Sequence, residues 1–374
     1  MPDARPGWAL LSGEYPPARG GVGDYTAQLA AALAAAGDEV HVLAPAPAAA
    51  TPGVTVHALP GCFGWRARRR AEAVLRELGT PRLLVQYVPH AYGRRAMNLG
   101  FTRWLARQAA RPWVMFHEVA VRTEGGDPRR RLLAAVTQRM ARQVAAAAAR
   151  CFVATPAWGE WLRELAPAAA GADWLPVPSN LPPAEAQAAA QARARLTPAA
   201  GWLIASLGRF ELHQRRRLGW SLRALLQRHP RGAAVLVGGG GEALRDAVLA
   251  EAPGLAPRLH ALGYRPAAEA AAHLAAADLV LQSYPDGVSG RRGTAMAALA
   301  QGRCLLTDAG DATEPVWRQS DGVALAPEGE WLATAEALLA DPERRQRLGE
   351  AGRRLYQAQF ALEHTVRRLR EAGA

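Results

Sequence analysis

Short apolar runs alternate with stretches of helical spacing along the whole chain. After the first run, Tyr25, Leu29 and Leu33 fall on one face of a helix, for which Asp24 is the expected N-cap and Gly37 the expected end. Alternation of this kind predicts a parallel sheet covered by helices on both faces. In the first half, six runs predict β-strands, at 8–11, 39–44, 54–59, 82–87, 113–117 and 151–155.

The alternation stops once and then resumes. Residues 176–200 are rich in Pro and Ala, which is typical of a linker. Six more strands are predicted after it, at 202–207, 234–237, 258–262, 278–282, 304–307 and 322–325, and an amphipathic helix at 360–369. The sequence therefore predicts an α/β protein with two Rossmann-like, doubly wound domains, 1–178 and 201–357, joined by a linker at 179–200 and facing each other across a cleft.

Composition narrows the classes of function. The formal net charge is +12, and all 45 basic residues are arginines. The Arg-rich runs at 66–70, 129–131 and 215–217 are scattered and lack the aromatic interleaving of single-strand-binding proteins, so no nucleic-acid partner is expected. Arg-rich amphipathic helices are compatible with peripheral contact with an anionic membrane surface, here the inner face of the membrane.

Two further classes are disfavoured. No apolar run reaches the roughly 18–20 residues of a spanning helix, and the N-terminus turns to Gly, Glu and Pro before a signal-peptide core, so a cytoplasmic location is expected. Cys62, Cys151 and Cys304 lie far apart, so neither a disulfide frame nor a metal site is predicted.

A glycine-rich segment, 12–25, leaves the first strand and enters the first long helix. Gly20 and Gly21 let the backbone approach a ligand closely, and a helix N-terminus offers free N–H groups to an anion. The segment lacks the Gly-Lys-Ser/Thr ending of a P-loop, and Thr26 stands where a dinucleotide fingerprint needs its third small residue. The alternative is a tight turn without a ligand.

Polar residues follow several strands. His117 ends one strand and can donate to a sugar hydroxyl or a phosphate, unless it is a satisfied structural histidine. Residues 86–90 end the preceding strand in a similar position and are weaker candidates for ligand contact. Arg209 follows the first strand of the second half and precedes the run 215–217, which either supplies fixed positive charge or forms a solvated basic turn.

The most informative segment is 283–302. It joins a strand to a helix through a glycine loop, with Asp286 at its start, so the helix N–H groups would point at an anion.

Two stretches carry a resemblance to a known family. Residues 15–45, which begin YPPARGGVGDY, and residues 278–307, with their Ala-Met-Ala and Gln301-Gly302, resemble the retaining GT-B glycosyltransferases of family 4. The resemblance implies that the first domain lies on the acceptor side and that the second binds a nucleotide sugar. It also implies that a terminal helix, 358–374, crosses back onto the first domain.

The resemblance implies roles for individual residues. His117, Arg209, Arg216 and Asp286 would be catalytic, with Arg216 replacing the lysine that usually clamps the donor diphosphate together with an arginine. Donor-binding residues would be Gly20, Gly21, Tyr264, Gly287, Val288, Ser289, Gly290 and Thr294.

One departure stands out. The family usually carries two glutamates eight positions apart, the first near the donor sugar and the second on the ribose hydroxyls. Those positions fall on Asp286 and Thr294. A threonine cannot chelate two ribose hydroxyls as a carboxylate does, so the sequence does not identify the nucleotide of the donor.

The implied activity is transfer of a sugar from a nucleotide-diphosphate sugar to a glycan, a lipid-linked acceptor or a small molecule. Transfer would retain configuration, with the leaving phosphate taking the acceptor proton and with neither a metal nor a bound cofactor. A non-catalytic GT-B relative acting as a scaffold, and a nucleotide-sugar 2-epimerase, are the alternatives. Both failed nucleotide fingerprints disfavour an oxidoreductase.

Overall fold

The chain divides into two units, each built on one parallel β-sheet. The computed structural model describes residues 7–79, 81–123, 127–167, 169, 171–197 and 201–373. The first unit comprises Met1–Pro176 together with Leu362–Ala374, and the second comprises Val177–Ala361.

The first unit contains a seven-stranded sheet whose strands are all parallel. The sheet is apolar because helices cover both of its faces, and every residue of β1 is buried. Its strands are β1 (Trp8–Ser12), β2 (Val40–Pro45), β3 (Thr55–Leu59), β4 (Arg82–Tyr87), β5 (Trp113–Phe116), β6 (Arg150–Val153) and β7 (Ala172–Trp174), in the order β3-β2-β1-β4-β5-β6-β7.

Five helices alternate with these strands. They are α1 (Gly21–Ala35), α2 (Trp65–Glu77), α3 (Leu99–Leu105), α4 (Pro128–Ala147) and α5 (Pro156–Leu165). The expected N-cap of α1 is wrong: the helix begins three residues before Asp24, with Gly20 at the cap position. Its end agrees with the prediction, because Gly37 lies just beyond it with a φ of +87°, where glycine is favoured.

The second unit repeats the pattern with six parallel strands. They are β8 (Leu203–Leu207), β9 (Ala233–Val237), β10 (Leu259–Gly263), β11 (Leu279–Gln282), β12 (Leu305–Thr307) and β13 (Ala324–Leu325), in the order β10-β9-β8-β11-β12-β13. Its helices are α6 (Ala186–Leu196), α7 (Leu212–Arg228), α8 (Gly241–Glu251), α9 (Ala267–Ala275), α10 (Gly293–Ala300), α11 (Pro315–Arg318), α12 (Trp331–Ala340) and α13 (Pro342–Leu355).

Both sheets are doubly wound, which confirms the predicted fold class. In each sheet the order reverses beside the first strand, between β1 and β4 and between β8 and β11. The carboxyl ends of strands at such a switch point form a crevice in which α/β proteins bind ligands. The strand β7 was not predicted.

Two segments extend beyond this pattern. The stretch 179–200, assigned to a linker from its composition, carries α6, which packs on α9. The last helix, α14 (Leu362–Glu371), packs on α1 of the first unit, where Arg370 pairs with Asp38 at 3.4 Å.

Among the described residues, no helix has the length and apolar character needed to cross a bilayer.

Candidate functional site

At the switch point of the first unit, a carboxylate already occupies the N-terminus of α1. Glu14 accepts hydrogen bonds from the backbone N–H groups of Val22 and Gly23, at 3.0 and 3.2 Å. A Cβ at Gly20 would lie 2.5 Å from the Glu14 carboxyl, whereas one at Gly21 would meet no atom within 4 Å. The Glu14 carboxylate therefore approaches Gly20 closely and lies at the helix end where an anion is expected.

His117 directly follows β5 and is buried. Its Nε2 lies 2.8 Å from Oε1 of Gln86, the residue that pairs with Ser12 across β1 and β4. Because an amide oxygen only accepts, this nitrogen carries the ring proton. Burial lowers the pKa of His117 to about 3, so the ring is neutral at pH 7.

The surroundings of His117 contain polar atoms without partners. The Tyr25 ring packs edge-on against the imidazole, with 4.9 Å between ring centroids. Within the described part of the chain, the Tyr25 hydroxyl and the Gln86 amide nitrogen are buried and make no hydrogen bond. Buried polar groups are usually satisfied, so these two atoms are candidates for contact with a ligand hydroxyl.

In the second unit, the connection from β8 to α7 places arginines at the switch point. Arg209 and Arg216 are exposed, and among the residues that the structure describes neither side chain has a hydrogen bond or an ion pair. Their two neighbours are engaged: Arg215 donates to the Phe210 carbonyl at 2.6 Å, and Arg217 is paired with Asp308. The two arginines selected from the sequence are therefore the uncommitted ones.

Asp308 joins this connection to the loop after β11. Its carboxylate pairs with Arg217 and accepts the Tyr284 backbone N–H at 2.7 Å, while its own carbonyl accepts from the Val288 N–H at 2.9 Å. Burial raises the pKa of Asp308, although the Tyr284 N–H and Arg217 oppose this effect. Sequence reasoning missed this residue because its partners lie far away along the chain.

Asp286 is paired within its own loop. Its two carboxylate oxygens receive hydrogen bonds from Arg291 and Arg292. Burial tends to raise the pKa of Asp286, but Arg292 and Arg291 outweigh it and hold the pKa below its usual value. The carboxylate expected to bind sugar hydroxyls is thus shared with two guanidinium groups.

Thr294 stands in the first turn of α10. Its hydroxyl lies 2.6 Å from the Tyr284 hydroxyl, and the Arg292 guanidinium sits 4.6 Å from the centre of the Tyr284 ring. A Cβ at Gly208 would lie 3.3 Å from the Thr294 methyl, so the end of β8 adjoins the start of α10. Two paired hydroxyls therefore lie where the resemblance implies a carboxylate.

Glu314 holds the loop 287–290 in place through hydrogen bonds to Gly290. Both oxygens of this buried carboxylate accept the Gly290 N–H, at 2.9 and 3.1 Å. Burial raises the pKa of Glu314, opposed chiefly by the Gly290 hydrogen bond. Within the described residues, the buried Ser289 hydroxyl has no hydrogen-bond partner.

A glycine turn and Tyr264 complete this edge of the sheet. A Cβ at Gly238 would come within 2.1 Å of the Gly208 carbonyl oxygen, and one at Gly239 within 2.8 Å of the Tyr264 hydroxyl. Tyr264 is 45% exposed. The structure thus brings Arg209, Thr294, Tyr264 and the 286–290 loop to one edge of the second sheet, and Gly20, Gly21 and His117 to the corresponding edge of the first.

No group of three or more His, Cys, Asp or Glu side chains in the described chain is arranged to hold a metal ion.

Comparisons with known proteins agree with this architecture. The profile of the glycosyl transferase 4-like domain matches residues 20–178, and that of the glycosyl transferase-like domain matches residues 215–371. No curated protein matches the chain in a sequence search.

Solved structures share the fold over nearly the whole chain. Sucrose-phosphate synthase from Thermosynechococcus elongatus is 21% identical, with a TM-score of 0.76 and 98% of each chain covered. WaaG, a glycosyltransferase involved in lipopolysaccharide biosynthesis, is 15% identical, with a TM-score of 0.69, covering 96% of this chain and 98% of its own. HepE from Anabaena, in complex with UDP-glucose, is 15% identical, with a TM-score of 0.67 and coverage of 97% and 98%.

Two glycosyltransferase domain profiles match the chain, and each unit is built on a doubly wound sheet. The chain therefore belongs to the GT-B glycosyltransferases of family 4 (group 1).

Proposed function

We propose that the protein transfers a sugar from a nucleotide-diphosphate sugar to a hydroxyl of a glycan, a lipid-linked acceptor or a small molecule. One observation carries the proposal. Arg209 and Arg216 are exposed beside the switch point of the second unit, and in the described chain neither side chain has a partner. Two uncommitted guanidinium groups next to a helix N-terminus suit a diphosphate. HepE, which shares the fold, was solved with UDP-glucose bound.

In this proposal the arginines act on the leaving group. As the bond between the sugar C1 and the phosphate oxygen breaks, negative charge grows on the diphosphate, and Arg209 and Arg216 stabilise it. The acceptor oxygen forms its bond to C1 on the same face, and its proton passes to the leaving phosphate. The configuration at C1 is then retained, and the reaction requires neither a metal ion nor a protein nucleophile.

The donor sugar is assigned to the loop after β11. Asp286, Arg291 and Arg292 form one hydrogen-bonded group there, and the unpartnered Ser289 hydroxyl adds a fourth polar contact. Gly287, Val288 and Gly290 supply the backbone of this loop, and Thr294 and Tyr284 offer paired hydroxyls in place of the ribose-binding glutamate. Tyr264, partly exposed beside the glycine turn, is assigned to the base.

A thermal-shift screen against UDP-, GDP- and ADP-sugars tests the donor assignment. A ligand at a hundred times its dissociation constant adds about 2.7 kcal/mol of stability to the folded protein. We expect one nucleotide class to raise the melting temperature of the wild type and to fail with Arg209→Ala. Absence of any shift would favour a non-catalytic scaffold, and release of a 2-epimerised sugar without an acceptor would favour the epimerase.

We also propose peripheral contact with an anionic membrane through the first unit. The α2–α3 arginine surface comprises seven exposed arginines, Arg66, Arg69, Arg70, Arg94, Arg95, Arg103 and Arg107. Trp65, 58% exposed, lies at its edge, with the Arg66 guanidinium 5.4 Å from the centre of its ring. An exposed indole among arginines suits the interface of a bilayer with anionic headgroups.

Vesicle sedimentation tests this contact. We expect binding to vesicles of phosphatidylglycerol but not to those of phosphatidylcholine, with about a fivefold loss of affinity for each arginine of the surface changed to Ala. Arg228→Ala, outside the surface, is the matched control. Equal binding to both lipids would contradict the proposal.

A further inference from the structure

A pocket of the second unit opens at the edge of the sheet opposite to the loops assigned to the donor. It has a volume of about 450 Å³. Asp278, which precedes β11, and Arg303 and Cys304, which precede β12, line it together with residues of α13. The amino ends of these two strands therefore border the pocket, while their carboxyl ends lead to Asp286 and Asp308.

Positive charge dominates this pocket. Three arginines, Arg303, Arg345 and Arg353, line it, and Arg193 reaches its edge by pairing with Asp278 at 2.8 Å. Against these four guanidinium groups stand two carboxylates, Asp278 and Glu350. Glu350 accepts a hydrogen bond from the Gln346 amide at 2.9 Å, and among the described residues it forms no ion pair within 4.0 Å.

Two of the four arginines are committed to the fold. Arg193 donates to the carbonyls of Ala276 and Gly201, at 2.9 and 2.7 Å. Arg345 donates to the carbonyls of Leu338 and Leu339 near the end of α12, at 2.6 and 2.7 Å. Their roles are structural, although their charge still reaches the pocket.

The other two arginines are available. The buried Nε of Arg303 has no hydrogen-bond partner in the described chain, and its terminal nitrogen reaches the Ala277 carbonyl only at 3.4 Å. Arg353 is exposed, and its guanidinium lies against Gly302, where a Cβ would come within 3.0 Å of Nε. Neither an ion pair nor a hydrogen bond engages the Arg353 side chain within the part of the chain that the structure describes.

The two available arginines repel one another. Burial lowers the pKa of the Arg303 guanidinium; Asp278 opposes this, and the positive charges of Arg353 and Arg193 add to it. A bound anion would relieve this repulsion. Guanidinium groups bind phosphate oxygens through paired N–H donors, which makes a phosphate group the matching ligand.

We propose that this pocket binds the phosphate group of a small molecule through Arg303 and Arg353, as a site separate from the donor site. It lies at the amino ends of β11 and β12, whereas the donor loops lie at their carboxyl ends. The helix α10 also runs between the two regions, from Thr294 at the donor end to Gln301 and Gly302 at the pocket.

Calorimetric titration with pyrophosphate tests the site at constant ionic strength. The donor site is first silenced with Arg209→Ala and Arg216→Ala together. We expect this double variant to bind one pyrophosphate per chain, and Arg353→Ala added to it to weaken binding at least tenfold. Arg347→Ala is the matched control, because Arg347 is exposed on the same helix and, among the described residues, forms an ion pair with Glu343 alone, at 3.7 Å. We expect no change from it.

The outcomes separate this proposal from the donor assignment. Two pyrophosphates bound to the double variant, one of them lost with Arg353→Ala, would support the pocket and contradict the donor arginines. No binding to the double variant, or equal weakening by Arg353→Ala and Arg347→Ala, would overturn the pocket. Because Arg353 is exposed, unchanged melting of its variant confirms that the fold is intact.

Discussion

The six strands of the second sheet follow the same order as β1 to β6 of the first, yet the two switch points carry opposite electrostatics. In the first unit, Glu14 occupies the N-terminus of α1, and the buried His117 is neutral at pH 7 because its pKa falls to about 3. In the second unit, Arg209 and Arg216 are exposed at the same topological position, and among the described residues their side chains have no partner. Shared topology therefore fixes where a crevice forms, whereas the loop residues decide the charge that lines it.

This difference suggests that the two switch points suit different chemical groups of the substrates. In the first unit, Glu14 occupies the helix end, and within the described chain the Tyr25 hydroxyl and the Gln86 amide nitrogen have no partner beside a neutral imidazole. Such a switch point suits uncharged hydroxyl groups. A switch point with uncommitted arginines suits a diphosphate. Under the proposed function, the first would serve the acceptor or the sugar, and the second the charged part of the donor.

The largest effect is expected from a substitution at the switch point of the second unit. Arg209→Ala removes a fixed positive charge from the leaving diphosphate, so we expect kcat for sugar transfer to fall about 10²–10³-fold. Initial rates with a donor identified by the screen measure this. Arg231→Ala, an exposed arginine beyond the opposite edge of the same sheet, should keep the wild-type rate. Equal losses in the two variants would mean that Arg209 acts only through net charge.

A smaller effect concerns the polar network behind the same switch point. Asp308→Ala leaves Arg217 and the Tyr284 N–H without their carboxylate, and removal of one partner of a buried pair costs about 3 kcal/mol of unfolding free energy. Urea unfolding measures it. The exposed pair of Arg228 and Glu336 is the control, and Glu336→Ala should cost less than about 1 kcal/mol. Similar costs for the two variants would show that Asp308 is not a buried anchor.

The pH dependence of stability sharpens the description of the first switch point. The pKa of His117 falls from 6.5 to about 3 on folding, so below pH 6.5 the unfolded chain takes up a proton that the folded chain does not. Stability from this group is thus lost as pH falls. Between pH 7 and pH 5 the loss should be about 2 kcal/mol.

Urea unfolding at the two pH values checks this expectation. His117→Gln should remove the loss, whereas His90→Gln, at an exposed histidine, should preserve it. An unchanged pH dependence in His117→Gln would show that folding does not lower the pKa of His117.

The smallest effect concerns the helix cap of the first unit. Glu14→Ala removes the acceptor for two N–H groups of α1 and should cost about 1 kcal/mol of unfolding free energy. Glu160→Ala, at an exposed acid within α5, should stay within about 0.5 kcal/mol of the wild type. A cost for Glu14→Ala as small as that would show that the carboxylate is not the cap.

The sequence predicted the positions of strands well where a local apolar pattern determines them. Short apolar runs located β1 to β6 and β8 to β13. Most of these strands are apolar because they are buried on both faces, whereas β3 and β10 lie at sheet edges and are only partly buried. The strand β7 was not predicted, because Ala172–Trp174 are too few and too polar to form an apolar run. The N-cap of α1 was predicted wrongly, because the group that accepts its N–H hydrogen bonds is Glu14, which lies outside the helix.

Within the site, sequence reasoning located strand-end residues but not their partners. His117, Arg209 and Asp286 lie where the motifs placed them, directly after β5 or on the loops that follow β8 and β11. Contacts over long sequence separations were missed: Gln86 with His117, Asp308 with Arg217, and Glu314 with Gly290. Such pairs depend on which strands become neighbours, and only the assembled sheet determines that.

The measurement that tests the comparison most directly is a calorimetric titration of UDP, or of the nucleoside diphosphate selected by the screen, into three proteins. Relative to the wild type, we expect Arg216→Ala to weaken binding by about ten- to a hundredfold and Glu14→Ala to leave the dissociation constant unchanged. Tighter binding by Glu14→Ala together with unchanged binding by Arg216→Ala would contradict the account, because the diphosphate would then compete with Glu14 for the N-terminus of α1.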